Sequence, residues 1–316
     1  MINRILIRIK IVQILYSYYK DGSKSVENAE KELFFSIEKT YELYNLILLL
    51  IIDITRFAEK RIEIGRNKFR PTAEELRPNT RFIDNRFVQQ LATNKQLAGY
   101  LKNKKTSWTN EPELIKKLFE QIAASEEYAE YMTASGSSYE NDKSIWRKLL
   151  KNIIVFSEDL ENTLEEHSIY WNDDLDIVVS FVIKTIKKFE EENDDIQEIL
   201  PMFKDDEDVD FARKLFRSAL LNHEEYSKLI DAHTKNWDYD RIAFMDVLIM
   251  QIAIAELMDF PSIPVNVTLN EYIEIAKIYS TEKSGHFVNG VLDNIVTGLK
   301  NENKLTKAKL YIPIQK

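Results

Sequence analysis

Arg4 and Arg8 stand four residues apart near the start of the chain, in NRILIRIKIVQILYSYYK. At 3.6 residues per turn they share a helical face with Ile11, Leu15 and Tyr18. Asn3, Lys10, Gln13, Ser17 and Lys20 fall together on another arc. Guanidinium groups beside aromatic rings suit phosphates and splayed bases: the cation meets the backbone charge, and the ring stacks on the base. The same pattern describes an ordinary core helix with solvated ends, and composition alone leaves both open. No catalytic constellation is visible. His167, His223, His233 and His286 are scattered, with no nucleophile at a telling spacing. Neither G-x-G-x-x-G nor G-x-x-x-x-G-K occurs. Asp205-Asp206-Glu207-Asp208 has the residue types of a metal site, but Asp210 occupies the position where a calcium loop needs glycine. The run reads instead as the acidic first turn of the next helix, favoured by the helix dipole. The chain has no cysteine, which removes disulfides and thiolate ligands. No metal or cofactor is expected.

The elements that must position a site are clearest between Pro264 and Asp293. Pro264 ends whatever precedes it. Thr268 with Glu271 three residues on has capping-box spacing, predicting a helix that starts there. Ile273, Ala276 and Tyr279 give that helix an apolar stripe. Ser280 or Thr281 should open a second helix, with Glu282 in its first turn and Phe287, Val288, Val291, Leu292 and Ile295 buried. Gly290 inside that helix costs about 1 kcal/mol against alanine, so a neighbouring helix or a ligand should approach its backbone closely.

The remaining pattern is helical throughout. Leu33, Ile37, Leu43, Leu46, Leu50 and Ile54 predict a long buried helix that Ser25 can cap. Single helices are predicted over residues 87–101, 114–132, 145–164, 175–189, 211–232 and 242–257, the last preceded by Trp237 and Tyr239 and bearing Asp240, Arg241, Asp246, Gln251 and Glu256 as edge residues. Trp108, Trp146 and Trp171 read as core anchors. From Lys60 to Arg86 there are eight Lys or Arg and four acids. Pro71 and Pro78 make this a connection, and either a solvated linker or an auxiliary basic surface. The longest apolar run, Leu46 to Ile52, is far short of the about 20 residues needed to span a bilayer. Arg4, Arg8 and Lys10 interrupt any signal-peptide core, so a cytoplasmic protein is expected. The net charge of −9 is concentrated: residues 190–210 carry eleven acids and one lysine, leaving the remainder near +1.

Two separated segments resemble the transcription antitermination factor NusB family. One comprises IAIAELMDFPSIPVNVTLNEYIEIAK, residues 252–277, followed by HFVNGVLD, residues 286–293. The other is Arg4 and Arg8 with VQILYSYY, residues 12–19. The resemblance covers residues 1–20 and about 211–299; about 60–205 has no counterpart in short members. It implies an all-α fold of two helical subdomains. The expected division is 1–60 and 206–300 for the NusB-like core, 61–205 for an inserted helical subdomain, and 301–316 for a basic tail. It further implies a single-stranded boxA-type RNA ligand, pairing with the small-subunit ribosomal protein NusE, and a place in the RNA polymerase antitermination complex on ribosomal RNA operons. Carried onto this chain, Arg4, Arg8, Lys10, Lys277 and Lys283 would meet phosphates, Tyr16 and Phe287 would stack bases, and Gln13 and Asn289 would offer amide hydrogen bonds. Phe287 also fits a core position. Asp246 and Glu256 would face basic side chains of NusE. Ile5 to Ile7 is apolar where family members often carry more arginine, so the N-terminal contact would be weaker here. Two alternatives stand beside this reading. One is a helical protein–protein adaptor without RNA binding. The other is the RNA-guiding part of a ribosomal RNA methyltransferase, which needs an α/β domain that the sequence does not display.

Overall fold

A computed structural model describes residues 1–22, 25–234, 242–281 and 283–305. The expectations placed on Trp237, Tyr239, Asp240, Arg241, Glu282 and most of the basic tail lie outside these. Among the described residues there are fifteen α-helices, three short 3-10 segments and no strand. The fold is all-α, and the described residues hold no strand for the α/β domain that the methyltransferase alternative needs.

The chain forms two compact units. One unites Ile2–Ile37 with Phe203–Lys316. It contains α1 (Arg4–Asp21), the start of α2 (Val26–Arg66), α11 (Asp206–Leu221), α12 (His223–His233), α13 (Phe244–Asp259), α14 (Val265–Tyr279) and α15 (Ser284–Asn301). Asn3 caps α1, its side-chain oxygen accepting from the Leu6 N–H at 2.9 Å. Gly22 ends α1 at φ 62°, a left-handed turn that glycine adopts without penalty. α13 is the centre: every residue from Asp246 to Leu257 is buried. It packs on α1, α11, α12, α14 and α15. Each Ile or Leu so enclosed contributes about 1.5–3 kcal/mol of transfer free energy. From Asp246 to Leu257 the helix has no solvent edge, so Asp246, Gln251 and Glu256, expected at an edge, are internal. Gln251, for example, donates to the Ser227 hydroxyl at 2.7 Å.

The other unit comprises Met1 and Glu38–Met202. It holds the rest of α2, then α3 (Ala73–Leu76), α4 (Arg86–Thr93), α5 (Lys95–Lys104), α6 (Pro112–Ala123), α7 (Glu126–Thr133), α8 (Tyr139–Asn152), α9 (Glu158–His167) and α10 (Leu175–Lys188). Trp108, Trp146 and Trp171 are buried as anchors. The Trp108 indole N–H donates to the Leu46 carbonyl at 2.8 Å, and that of Trp171 to Lys39 at 2.7 Å. Tyr44 and Thr185 share a 2.7 Å hydroxyl contact. These bonds explain why the division falls inside α2 after Ile37, not at residue 60: the helix runs unbroken to Arg66, but from Lys39 onward its partners are the helices that follow it.

Several predicted helices are two. Asn94 separates α4 from α5, its side-chain oxygen accepting from the Leu97 N–H at 3.0 Å and its amide donating to the buried Gln197 carbonyl at 2.7 Å. Ser125 caps α7 and Ser157 caps α9 in the same way. Asn222 closes α11 by donating to the Ser218 carbonyl at 3.1 Å, and α12 begins at the next residue. In each case a short polar side chain replaces a backbone bond without disturbing the apolar spacing.

Candidate nucleic-acid interface

Arg8 is where the sequence reading fails most sharply. Its side chain is 3% exposed, and Nε and Nη2 donate to the two Glu256 oxygens at 2.7 and 2.8 Å. Glu256, 0% exposed, also accepts from Thr268 Oγ1 at 2.8 Å and Tyr272 Oη at 3.1 Å. Glu271 lies 3.7 Å from the Arg8 Nη1. Burial works to lower the Arg8 pKa. The Glu256 hydrogen bond and the charges of Tyr272, Glu256 and Glu271 outweigh it and hold the guanidinium above its ordinary range. Burial pushes the Tyr272 hydroxyl well up. The cluster joins α1, α13 and α14. It also explains why the Thr268 capping box does not form: α14 begins at Val265 with Pro264 before it, and the Thr268 hydroxyl is spent on Glu256. Neither Arg8 nor Glu256 can meet RNA or a partner protein from this position.

Three further assignments are corrected by burial or pairing. Arg4 sits against α11, with Nε 3.4 Å from Asp208, Nη2 3.8 Å from Glu207, and the guanidinium 5.0 Å from the Phe211 ring centroid. Its charge is answered by the acidic turn of that helix. Lys10 is 1% exposed. Asp246 is buried and accepts from the Ser284 hydroxyl at 3.0 Å, which ties the start of α13 to the start of α15. Arg4 and Arg8 therefore do not make the phosphate grip expected of them.

Some of the remaining candidates lie in a different part of the same unit, along the C-terminal half of α1 and at the α14–α15 corner. Gln13 donates to Tyr279 Oη at 3.3 Å. Tyr16, 38% exposed, lies 5.8 Å from the ring of Phe244, which is 40% exposed. Lys20 Nζ stands over both rings, 5.6 Å from Tyr16 and 4.9 Å from Phe244. Phe244 opens α13 two residues before Asp246, whose bond to Ser284 brings in the exposed Lys283. Among the described residues neither Lys20 nor Lys283 has an ion-pair partner. Lys283, His286 and Phe287 then line an open groove of about 960 Å³ between α15 and the end of α12, with Gly290, Asn294 and His233 further along. A Cβ at Gly290 would meet nothing within 4 Å, so the close helix approach expected there is absent among the described residues, and the glycine faces the groove. The helix contact falls on Gly285, where an added Cβ would lie 2.8 Å from Lys277 Cγ. Lys277 is exposed and paired with Glu274 at 2.6 Å. Asn289 is half-buried and does not line the groove. Phe244 was missed because an aromatic at the start of an apolar helix reads as core; its neighbour Tyr16 gives the only hint.

Among the described residues, the exposed rings come from α1 and α13, and the two lysines without an ion-pair partner from α1 and the start of α15. No metal-type cluster occurs among the described residues. The sequence model of the NusB family matches residues 175–297. A Salinibacter ruber protein named transcription antitermination protein NusB is 39% identical over 132 residues, 40% of this chain and 82% of that protein. Proteins of the same name from Chloroherpeton thalassium and Listeria monocytogenes are each 41% identical, over 99 and 91 residues; these are 31% and 29% of this chain, and 47% and 71% of those proteins. No solved structure matches. The chain belongs to the NusB family. The matched range begins at α10, earlier than the resemblance seen by eye, and leaves α1 outside it.

Proposed function

We propose that this protein is a non-enzymatic, RNA-binding transcription antitermination factor. It pairs with NusE, binds boxA-type single-stranded RNA, and joins the RNA polymerase complex that transcribes ribosomal RNA operons. The observation that carries the reading is the Tyr16–Phe244–Lys20 cluster, which the Asp246–Ser284 bond ties to the start of α15 and so to the Lys283–Phe287 groove, in a chain of this family. Tyr16 and Phe244 stack bases, Lys20 and Lys283 meet phosphates, and Gln13 and Tyr279 supply hydrogen bonds to base edges. With two such lysines engaged, the salt dependence of binding falls by about 1.4 in log–log slope when both are removed. Arg8, held inside by Glu256, and Arg4, partly exposed against the acidic turn of α11, serve the fold.

The test is a titration of labelled boxA-type RNA, with and without NusE, against wild type, Tyr16→Ala/Lys20→Glu and Lys283→Glu. Each variant is expected to weaken binding by about tenfold or more. Unchanged affinity in both would sink the reading. The engagement of Arg4 and Arg8 by carboxylates favours a second reading, a protein–protein adaptor without RNA binding. It predicts NusE binding with no measurable RNA affinity in wild type.

A further inference from the structure

The unit formed by Glu38–Met202 has a groove of about 770 Å³ outside the residues matched by the family model. Its floor is apolar: Ala58, Ile62, Phe82, Ile83, Phe119 and Ala123. A second hollow of about 530 Å³ adjoins it and shares Arg61 and Ile64. One wall is α3, which lies down on α2 at Gly65, where an added Cβ would stand 3.4 Å from Glu75 Cγ. Apolar side chains remain in water at the edge: Ile64 is 58% exposed and Leu76 57%, and Phe69 just beyond α2 is 94% exposed. The rim is cationic. Among the described residues none of Lys60, Arg61 and Arg77, which line the two hollows, is ion-paired; Arg61 stands 5.7 Å over the Phe119 ring. Elsewhere in the same unit Arg86, Lys95 and Lys117 are each answered by a carboxylate. Of the acids lining the two hollows, Glu75 is held by Lys68 and the Thr72 N–H, and Asp53 by Arg56, leaving Glu74.

We propose that this groove receives an amphipathic helix of a protein partner, apolar on one face and acidic on its flanks. Cations without an ion-pair partner around an apolar floor are the complement of that surface, and the two hollows follow α2 from Asp53 to Gly65, a length of about 18 Å or about three helical turns. The alternative of single-stranded RNA fits less well. Phe82 and Phe119 are buried and offer no open face for stacking, and the branched side chains of Ile62, Ile64 and Ile83 fill against leucine, not against a base.

The test uses the full chain and a labelled peptide of about 16 residues, with leucine at helical spacing on one face and glutamate on the other. Its lysine-for-glutamate counterpart and an oligouridylate serve as comparisons. The acidic peptide is expected to bind, the basic one not. Lys60→Glu/Arg61→Glu/Arg77→Glu is expected to weaken the acidic peptide by about tenfold or more. Ile64→Asp, an exposed change that leaves those cations in place, is expected to do the same. Circular dichroism checks that both variants fold. No binding of the acidic peptide, or equal binding of both peptides, overturns the proposal. So does oligouridylate binding that the triple variant loses while the peptide is unaffected, which would give the patch to nucleic acid.

Discussion

Removing one partner of the Arg8–Glu256 pair leaves a buried charge with no counter-charge of matching geometry. Arg8→Ala or Glu256→Ala is expected to cost about 3–5 kcal/mol in denaturant unfolding. Replacing both by apolar residues of similar volume should recover most of that loss, because the pair's attraction largely offsets its own desolvation. Recovery in the double variant separates a positioning pair from a binding residue: RNA affinity should follow the folded fraction and nothing else. Tyr19 gives a pH expectation. Burial, with the Tyr18 charge adding, pushes its hydroxyl up to about 12. A phenol raised in the fold above its ordinary value of about 10 contributes its stability in full below that pH and loses it as pH rises through 12. Unfolding midpoints at fixed temperature should therefore hold to about pH 10 and fall beyond it. None of this was legible in the sequence. Arginines at positions 4 and 8 have the same spacing whether they face solvent or a carboxylate, and Glu256 lies 248 residues from Arg8. Tyr16 and Lys283, carried over from the family resemblance, are both exposed.

At the scale of elements, apolar periodicity located nearly every helix but not their ends. α10 and α13 came out within two residues. The predicted helices over 87–101 and 211–232 concealed breaks at Asn94 and Asn222, since asparagine is an ordinary surface residue unless its amide finds a carbonyl, distant Gln197 for Asn94 and Ser218 one turn back for Asn222. Asn94→Ala is expected to cost about 1–2 kcal/mol through the lost cap and the stranded Gln197 carbonyl, read by thermal unfolding. Gly290→Ala tests the groove from the opposite direction. With open space at the Cβ and a helical backbone, alanine is expected to stabilise by up to about 1 kcal/mol. If RNA runs along α15, the same methyl group weakens RNA binding. A variant more stable and equally good at binding would move the RNA path off this face.

Across the whole molecule, two compact units share one discontinuous chain, and only part of that was visible beforehand. The helical class followed from apolar spacing and composition, while the expected middle insertion came from the family resemblance. The boundary inside α2 did not, because a continuous helix carries no local sign that its neighbours change. The arrangement has one more effect, set by the order in which the chain is made. α1 emerges from the ribosome well before its partner, because the carboxylate that receives Arg8 comes 248 residues later. At about 5–20 residues per second that is a wait of roughly 12–50 s. Through this interval a largely apolar helix carrying Arg4, Arg8 and Lys10 lacks its partners, so nascent chains halted before Glu256 should hold α1 open to protease and to chaperones, while the released product hides it.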